Sequence, residues 1–294
     1  MKVTNKAGLP GAIVEAVKND DYDPGKADIS CTTLIAPPRQ RVLRKAHDGE
    51  LVEDASDRIY ALLGQSMHTI LERAEPSALV EKRLYMKMGG WTISGQFDRI
   101  SIRQVTLQDY KLSSVWEYMY GLKPDRIAQL NVLAELAHQN GLEDISKLEV
   151  VMIFRDWQKS QAKFKKEYPQ HQVARLPVPL WDKERRLAYI AERVRVHQDA
   201  EKGVVVDCTD DERWLRDEAW AVMKQGRKTA LKVEPTKVDA AWWALRKGHA
   251  VADGEDAVAL NEGISIIHRP GVNTRCEAYC NVAQFCSQFK KITG

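Results

Sequence analysis

The stretch from Gly95 to Ser114 reads GQFDRISIRQVTLQDYKLSS and decides the fold. Apolar and polar residues alternate on both sides of Arg103-Gln104, which predicts two antiparallel strands joined by a tight turn. Asp98 and Asp109 then lie side by side, and Lys111 points to the same face as Asp109. Two carboxylates beside a lysine favour phosphodiester hydrolysis, in which the carboxylates hold Mg²⁺ or Mn²⁺. The alternative is an exposed hairpin whose charges only keep the chain soluble.

Composition limits the classes of protein that the chain can belong to. Its 294 residues are 44% hydrophobic with a net charge of +3, so any nucleic-acid surface must be local. No apolar run approaches the roughly 20 residues that span a bilayer, and the first twenty residues lack the apolar region of a signal peptide. We therefore expect a soluble, cytoplasmic protein with no membrane partner, in the host cytoplasm if the protein is phage-encoded.

The spacing of FD and DYK resembles a known nuclease motif. Ten residues separate Asp98 from Asp109, and the pattern is similar to the PD-(D/E)xK superfamily, in the RecB-type branch that includes AddB and the CRISPR adaptation nucleases. The resemblance implies an α/β, restriction-endonuclease-like core, in which helices flank a mixed central sheet. It also implies that Asp98, Asp109 and Lys111 form the catalytic set.

A histidine precedes the hairpin on a predicted helix from about Ala55 to Arg73, whose apolar residues recur at helical spacing. A lone histidine on a helix is more often structural than a ligand. However, the segment from Gly64 to His68 matches the G-x-x-x-H pattern of RecB-type nucleases. That resemblance implies that His68 binds the metal together with Asp98 and Asp109, with the Tyr110 carbonyl as an extra oxygen.

Downstream of the hairpin, Pro124 begins a predicted helix that Gly141 ends. The family places Q-x-x-x-Y on this helix, at the active site. Gln129 matches the glutamine, whereas Leu133 replaces the tyrosine. The alternative for Gln129 is an exposed polar residue on an amphipathic helix.

The segment from Arg155 to Lys166 follows a predicted buried strand, Leu148 to Phe154, and is rich in lysine. Trp157 and Phe164 are interleaved with the cations, which suits contact with a phosphate backbone and stacking on bases. A solvated loop is an equally good interpretation. The candidate DNA-binding residues are Lys159, Lys163, Lys165 and Lys166.

Three cysteines, Cys276, Cys280 and Cys286, lie close together near the end of the chain. Such spacing favours a soft metal, with a set of buried thiols as the alternative. In AddB and the CRISPR adaptation nucleases a similar triplet joins one distant cysteine around a [4Fe-4S] cluster, although the first gap is one residue longer here, which leaves Zn²⁺ open. Cys31 and Cys208 are the candidates for the fourth ligand. Resemblance to phage-encoded exonuclease-like proteins favours Cys208.

These features predict three segments: an N-terminal arm with a short helix at residues 1–54, a nuclease core at 55–203 and a cysteine-bearing lobe at 204–294. The expected function is that of a metal-dependent deoxyribonuclease, an exonuclease acting on linear DNA ends in phage recombination or processing. A single-strand annealing or recombination protein is a candidate partner. The alternative is a DNA- or protein-binding module with a structural metal centre and little or no cleavage.

Overall fold

The computed structural model describes residues 2–19, 25–74, 79–101, 105–142, 145–249, 258–260 and 263–293. The backbone forms two compact units, Met1–Asp207 and Cys208–Gly294. The strands and helices of the first unit are β1 (Lys2–Thr4), α1 (Gly11–Lys18), β2 (Ile29–Ser30), α2 (Cys31–Ile35), α3 (Pro38–Ala46), β3 (Val52–Asp54), α4 (Ile59–Glu72), β4 (Leu79–Met88), β5 (Trp91–Ser101), β6 (Thr106–Ser113), α5 (Val115–Tyr120), α6 (Pro124–Gln139), β7 (Lys147–Phe154), α7 (Lys159–Phe164), β8 (Val173–Val178) and α8 (Lys183–Glu201).

A mixed sheet of six strands, flanked by helices, makes the first unit an α/β structure. Its strands run in the order β2-β5-β6-β7-β8, with β4 on the free edge of β5. The β6–β7 and β2–β5 pairs are parallel and the others antiparallel. The predicted hairpin is therefore β5 and β6, although the Arg103-Gln104 turn lies outside the described residues. The predicted buried strand is β7, at an interior position of the sheet.

The edges of β5 are occupied unequally, and this opens a fork in the sheet. β4 pairs along nearly all of one edge, from Leu79–Ile100 to Met88–Trp91. β6 and β2 share the other edge: β6 pairs only from Arg99 to Ser101, and β2 pairs at Ile93–Ser94. The ladder between β5 and β6 consequently ends just before Asp98.

Helix α6 packs against β4 to β7 and supplies much of the core. Gly95 permits this close approach, because a Cβ atom there would lie 2.6 Å from Leu136 Cδ1 and 2.7 Å from Leu133 Cδ2. The largest fully buried side chains of this core include Phe97, Ile93, Leu107, Met152, Leu130, Leu133 and Leu136. Each such side chain contributes roughly 1.5–3 kcal/mol by leaving water.

Buried polar groups fasten α8 to α6. Glu135 is fully buried and accepts a hydrogen bond from Arg186 Nε at 2.9 Å. Asn131, also fully buried, donates to the Pro179 carbonyl and accepts from the Trp181 amide. Since buried polar groups are costly when unpaired, these bonds fix how α8 lies on the core.

The N-terminal segment is part of the same unit instead of forming an arm. β1 pairs in parallel with β3, and β2 joins the main sheet. Ser30 caps α2 by accepting a hydrogen bond from the Thr33 amide. His197 of α8 lies 3.1 Å from the Leu34 carbonyl at the end of α2, and burial lowers its pKa to about 4.

The second unit contains α9 (Asp210–Arg213), β9 (Leu215–Arg216), β10 (Ala219–Lys224), β11 (Lys232–Glu234), α10 (Lys237–Arg246), β12 (Val258–Leu260), β13 (Ile264–Arg269), β14 (Val272–Asn273), α11 (Thr274–Ala278) and α12 (Ser287–Thr293). Strands β11-β10-β13-β12 form an antiparallel sheet, against which α10 packs. A short pair, β14–β9, leads into the cysteine segment. Among the described helices of either unit, none has the length and apolar character that crossing a bilayer requires.

Candidate functional site

Three carboxylates lie in a row across β4, β5 and β6. The Gly89-Gly90 turn, in which both residues have positive φ, pairs Met88 with Trp91. That register places Glu81 opposite Asp98 on the neighbouring strand. The β5–β6 register, Arg99 opposite Gln108, brings Asp109 to the other side of Asp98, where the fork opens.

The fork gives Asp98 a hydrogen-bond donor that a continuous ladder would use elsewhere. Its Oδ2 accepts from the Tyr110 backbone amide at 2.6 Å, and its Oδ1 lies 3.6 Å from His68 Nδ1. Burial raises the pKa of Asp98 to about 6, and the negative charge of Asp109 raises it further, against the opposing effect of Lys111. The site is thus short of positive charge around Asp98.

Asp109 and Lys111 form an ion pair at 2.7 Å, and both side chains are largely buried. This contact agrees with the predicted common face of the two residues. The second oxygen of Asp109, Oδ2, is buried, and no hydrogen-bond donor reaches it from the described parts of the chain. A buried carboxylate oxygen without a partner is a natural ligand for a cation.

His68 stands on α4 and faces the carboxylate row. Its Nδ1 lies 3.2 Å from Glu81 Oε1, and this hydrogen bond raises the pKa of the imidazole, although burial opposes the shift. Burial pushes the pKa of Glu81 upward, but hydrogen bonds from His68 and Gln96 bring it below its ordinary value. The Gln96 amide donates to Glu81 Oε2 at 2.6 Å.

His68, Glu81 and Asp98 are close enough to share one metal ion. Their ligand atoms all lie within 4.8 Å of one another, and each side chain is partly exposed to the cleft. One imidazole and two carboxylates are a donor set that suits Mn²⁺ and accommodates Mg²⁺. Asp109 is outside this compact group, on the far side of Asp98, where its free oxygen remains next to Lys111.

Glu81 is the site residue that sequence reasoning missed. It has a φ of +46°, in the left-handed region that an ordinary side chain rarely adopts within a strand. Such backbone strain is concentrated at functional sites. The signal was present in the sequence, because counting back from the two-glycine turn pairs Glu81 with Asp98.

A cleft of about 810 Å³ opens beside these residues. Gln129 of α6 lies on its wall, as predicted for an active-site glutamine, and Leu133 lies beside it. Arg83 and Gln96 of the sheet and Gln65 and Glu72 of α4 also line it. Cys31 lies at its base, where burial raises the pKa of the thiol to about 12, so it is a packed thiol in the first unit.

The predicted DNA-binding lysines lie beyond the ends of β6 and β7. Lys159, Lys163, Lys165 and Lys166 are all exposed, on or just after α7. Phe164 is 78% exposed and free to contact a ligand. Trp157 is not, because its indole donates to the Pro169 carbonyl at 2.7 Å and packs against the core.

The cysteines Cys208, Cys276, Cys280 and Cys286 all belong to the second unit. Burial raises the pKa of Cys276, and Cys280 and Cys286 add to the increase. The Gln288 side chain, one turn from Cys286, accepts from the Cys208 amide and donates to its carbonyl, both at 2.8 Å. Arg213 also donates to that carbonyl. The structure therefore fastens the Cys208 backbone to the helix that follows the triplet.

No family model matches the sequence, and no curated protein matches it. Among solved structures, the chain is similar to one titled "Crystal structure of SSO0001", with 16% sequence identity and a TM-score of 0.47. That similarity covers 69% of this chain and 87% of the other.

Proposed function

We propose that the chain is a metal-dependent deoxyribonuclease with a restriction-endonuclease-like core. The observation that carries the proposal is the fork between β5 and β6, where buried carboxylates, a histidine and a lysine converge beside an open cleft. Resemblance of the FD, DYK and G-x-x-x-H motifs to RecB-type nucleases supports the same conclusion. Within that class, the proposal is an exonuclease acting on linear DNA in phage recombination or processing.

The residues fit a hard divalent cation. His68, Glu81 and Asp98 would hold it, and the unpartnered oxygen of Asp109 would complete or extend the ligand set, with the Tyr110 carbonyl as a further oxygen. Mutual repulsion among these carboxylates would fall on binding, as the raised pKa of Asp98 indicates. When bound, Mg²⁺ or Mn²⁺ supplies a Lewis acid and lowers the pKa of an attacking water.

The other residues contribute positioning and charge. Lys111 cannot bind a cation, since an ammonium group has no lone pair. Its Nζ is held by Asp109, in position to donate a hydrogen bond to a phosphate oxygen or to orient water. Gln129, on the cleft wall, offers an amide to the substrate. The exposed lysines of the α7 segment provide the local positive charge that a net charge of +3 does not supply globally.

A cleavage assay tests the proposal. End-labelled single-stranded, linear duplex and circular DNA are incubated with Mg²⁺, Mn²⁺ or EDTA, and we expect cleavage of the linear forms that depends on metal. Lys111→Ala should lose turnover but keep metal affinity, whereas Asp98→Asn should lose both. Lys87→Ala, an exposed lysine on β4, is the control and should cut normally. Metal-independent cleavage, or normal turnover of Lys111→Ala, would refute the assignment.

We propose further that Cys208, Cys276, Cys280 and Cys286 hold one structural metal centre. Among the described residues, no three of these sulfurs lie within 4.8 Å of one another. A tetrahedral Zn²⁺ with Zn–S bonds of 2.3 Å needs sulfurs about 3.8 Å apart. The wider spacing favours a [4Fe-4S] cluster, whose four ligands bind separate irons.

Metal analysis of single serine variants tests this centre. Serine at Cys208, Cys276, Cys280 or Cys286 should remove bound iron, detected as loss of absorbance near 400 nm in the purified protein. Cys31→Ser is the matched control, because Cys31 is packed in the first unit, and it should retain the metal. Retention of iron in Cys208→Ser would exclude Cys208 as a ligand.

A further inference from the structure

An exposed aromatic pair lies directly after the strand that carries Asp109 and Lys111. Trp116 and Tyr120 are one turn apart on α5, with 55% and 83% of their surfaces exposed. Their rings stack on each other, with centroids 5.8 Å apart and planes inclined by 16°. Two large parallel rings in water are a stacking surface that the core of this unit does not use.

The helix that carries the pair is held rigidly. Val115 is buried and Tyr118 packs edge-on against Phe154, so the opposite face of α5 faces the core. Asp156 accepts hydrogen bonds from the Ser114 hydroxyl at 2.5 Å and from the Val115 amide at 2.9 Å. The pair is thus presented in a fixed orientation, which lowers the ordering cost of binding.

A second exposed aromatic adjoins the same end of β6. Tyr60 of α4 is 58% exposed, and the Arg155 guanidinium lies 4.3 Å from its ring centroid. The Arg155 amide donates to the Ser113 carbonyl, which is the last residue of β6. Tyr60 precedes His68 by eight residues on α4, or roughly 12 Å along the helix axis.

Positive charge accompanies these rings. Because β6 and β7 are parallel and Ser113 pairs with Phe154, their ends lie at one edge of the sheet. The α7 lysines and the exposed Phe164 follow β7 from that edge, and Lys163 lies 5.6 Å from the Phe164 ring centroid. Exposed rings alternating with cations bind single strands, since every base has a face that can stack and every phosphate a charge.

We propose that Trp116 and Tyr120 form a base-stacking platform for single-stranded DNA, with Tyr60 and Arg155 beside it. The inference rests on the proposed nuclease function, which it deepens by naming the substrate as a single strand or a single-stranded end. A duplex keeps its base faces covered by neighbouring base pairs, so it cannot use the platform. Bases beyond the cleavage point would stack on the rings while the phosphate backbone follows the lysines.

Binding measured in EDTA tests the platform separately from catalysis. Fluorescence anisotropy of labelled oligothymidine is compared with that of a strand of equal length without bases, a blunt duplex and an RNA strand. We expect Trp116→Ala and Tyr120→Ala each to weaken oligothymidine binding roughly 5- to 100-fold. Neither variant should change binding of the strand without bases. Trp116→Phe should restore most of the affinity.

Trp242→Ala is the matched control, because Trp242 is similarly exposed, at 60%, on α10 of the second unit. It should bind as the unaltered protein does. Replacing Lys159 and Lys163 with alanine should instead reduce the salt dependence of binding, by about 0.7 per phosphate contact. Circular dichroism confirms that each variant is folded.

The outcomes separate this inference from the proposed function. Unaltered oligothymidine binding by Trp116→Ala and Tyr120→Ala overturns the platform, whatever the cleavage assay gives. Equal losses for the strand with and without bases also overturn it, because charge and not stacking would then be responsible. Base-dependent binding without cleavage would support the platform and refute the nuclease. Tighter binding of the blunt duplex or RNA than of oligothymidine would exclude single-stranded DNA as the occupant.

Discussion

Asp98→Asn should stabilise the protein in the absence of metal and abolish its stabilisation by metal. Asp98 lies between Glu81 and Asp109, and it is ionised at neutral pH although burial disfavours its charge. Asparagine has nearly the same shape and can still accept the Tyr110 amide hydrogen bond. The substitution therefore removes the unfavourable charge and keeps the local structure.

The magnitude follows from the pKa of Asp98, which rises from its ordinary value of 3.8 to about 6. A folded-state pKa above the unfolded value means that the folded protein holds the proton more tightly, so stability falls as pH rises through this window. At about 1.4 kcal/mol per pKa unit, the ionised carboxylate costs about 3 kcal/mol above pH 6. Asp98→Asn should raise the unfolding free energy of the metal-free protein by up to that amount.

Urea unfolding of the first unit at neutral pH, with and without metal, is the assay. At a Mg²⁺ or Mn²⁺ concentration near 100 times the dissociation constant, the unaltered protein should gain about 2.7 kcal/mol, and Asp98→Asn should gain almost nothing. Glu167→Gln removes an exposed carboxylate of the same unit and should change neither value. If Asp98→Asn is less stable than the unaltered protein in EDTA and still responds to metal, the reasoning about this carboxylate is wrong.

Three further predictions concern the scaffold. His197 has its pKa lowered to about 4, so its contribution of roughly 2–3 kcal/mol is present above pH 6.5 and lost as pH falls toward 4; His197→Gln should flatten the stability measured over that range. Glu135→Ala strands Arg186 in the core and should cost roughly 3–5 kcal/mol in urea unfolding, which a double substitution to apolar residues should largely restore. Gly95→Ala forces α6 away from the sheet and should lower the melting temperature, at a cost of about 1–3 kcal/mol.

Short-range patterns predicted the hairpin and its register. The alternation around DYK predicted two strands, and the contact between Asp109 and Lys111 followed from their spacing of two residues. The Gly89-Gly90 turn fixes the β4–β5 register just as firmly, since two residues of positive φ form a tight hairpin turn. Glu81 was therefore within reach of sequence reasoning, but a charged residue in an alternating strand looks the same whether it faces solvent or a metal.

Long-range competition was beyond such reasoning. The fork exists because β2, which is more than sixty positions earlier in the chain, takes the edge of β5 that β6 leaves. No local pattern in Ile29–Ser30 indicates a strand of two residues in the central sheet. The same limit applies to the N-terminal segment, which was predicted as an arm because its glycines, prolines and aspartates are typical of irregular structure.

Helix α4 shows a different failure of local pattern. Its apolar residues recur at helical spacing, which normally indicates a face turned to the core. The structure buries none of them fully, and Leu63 and Ile70 remain 48% and 67% exposed. Periodicity predicted the helix and the position of His68 on it, but how deeply a helix is buried depends on the shape of the surface beneath it.

The fork explains how buried like charges can persist in this fold. In a continuous antiparallel ladder the Tyr110 amide would bond to a strand carbonyl, whereas here it donates to Asp98. Glu81 adopts a left-handed backbone at a cost of about 1–3 kcal/mol, and the ionised Asp98 adds a similar penalty. The surrounding structure offsets both, because Gly95 lets α6 close over the sheet and the Glu135–Arg186 pair holds α8 against α6. The scaffold is therefore rigid where it is buried, and its unfavourable charges are confined to the cleft, where a cation can relieve them.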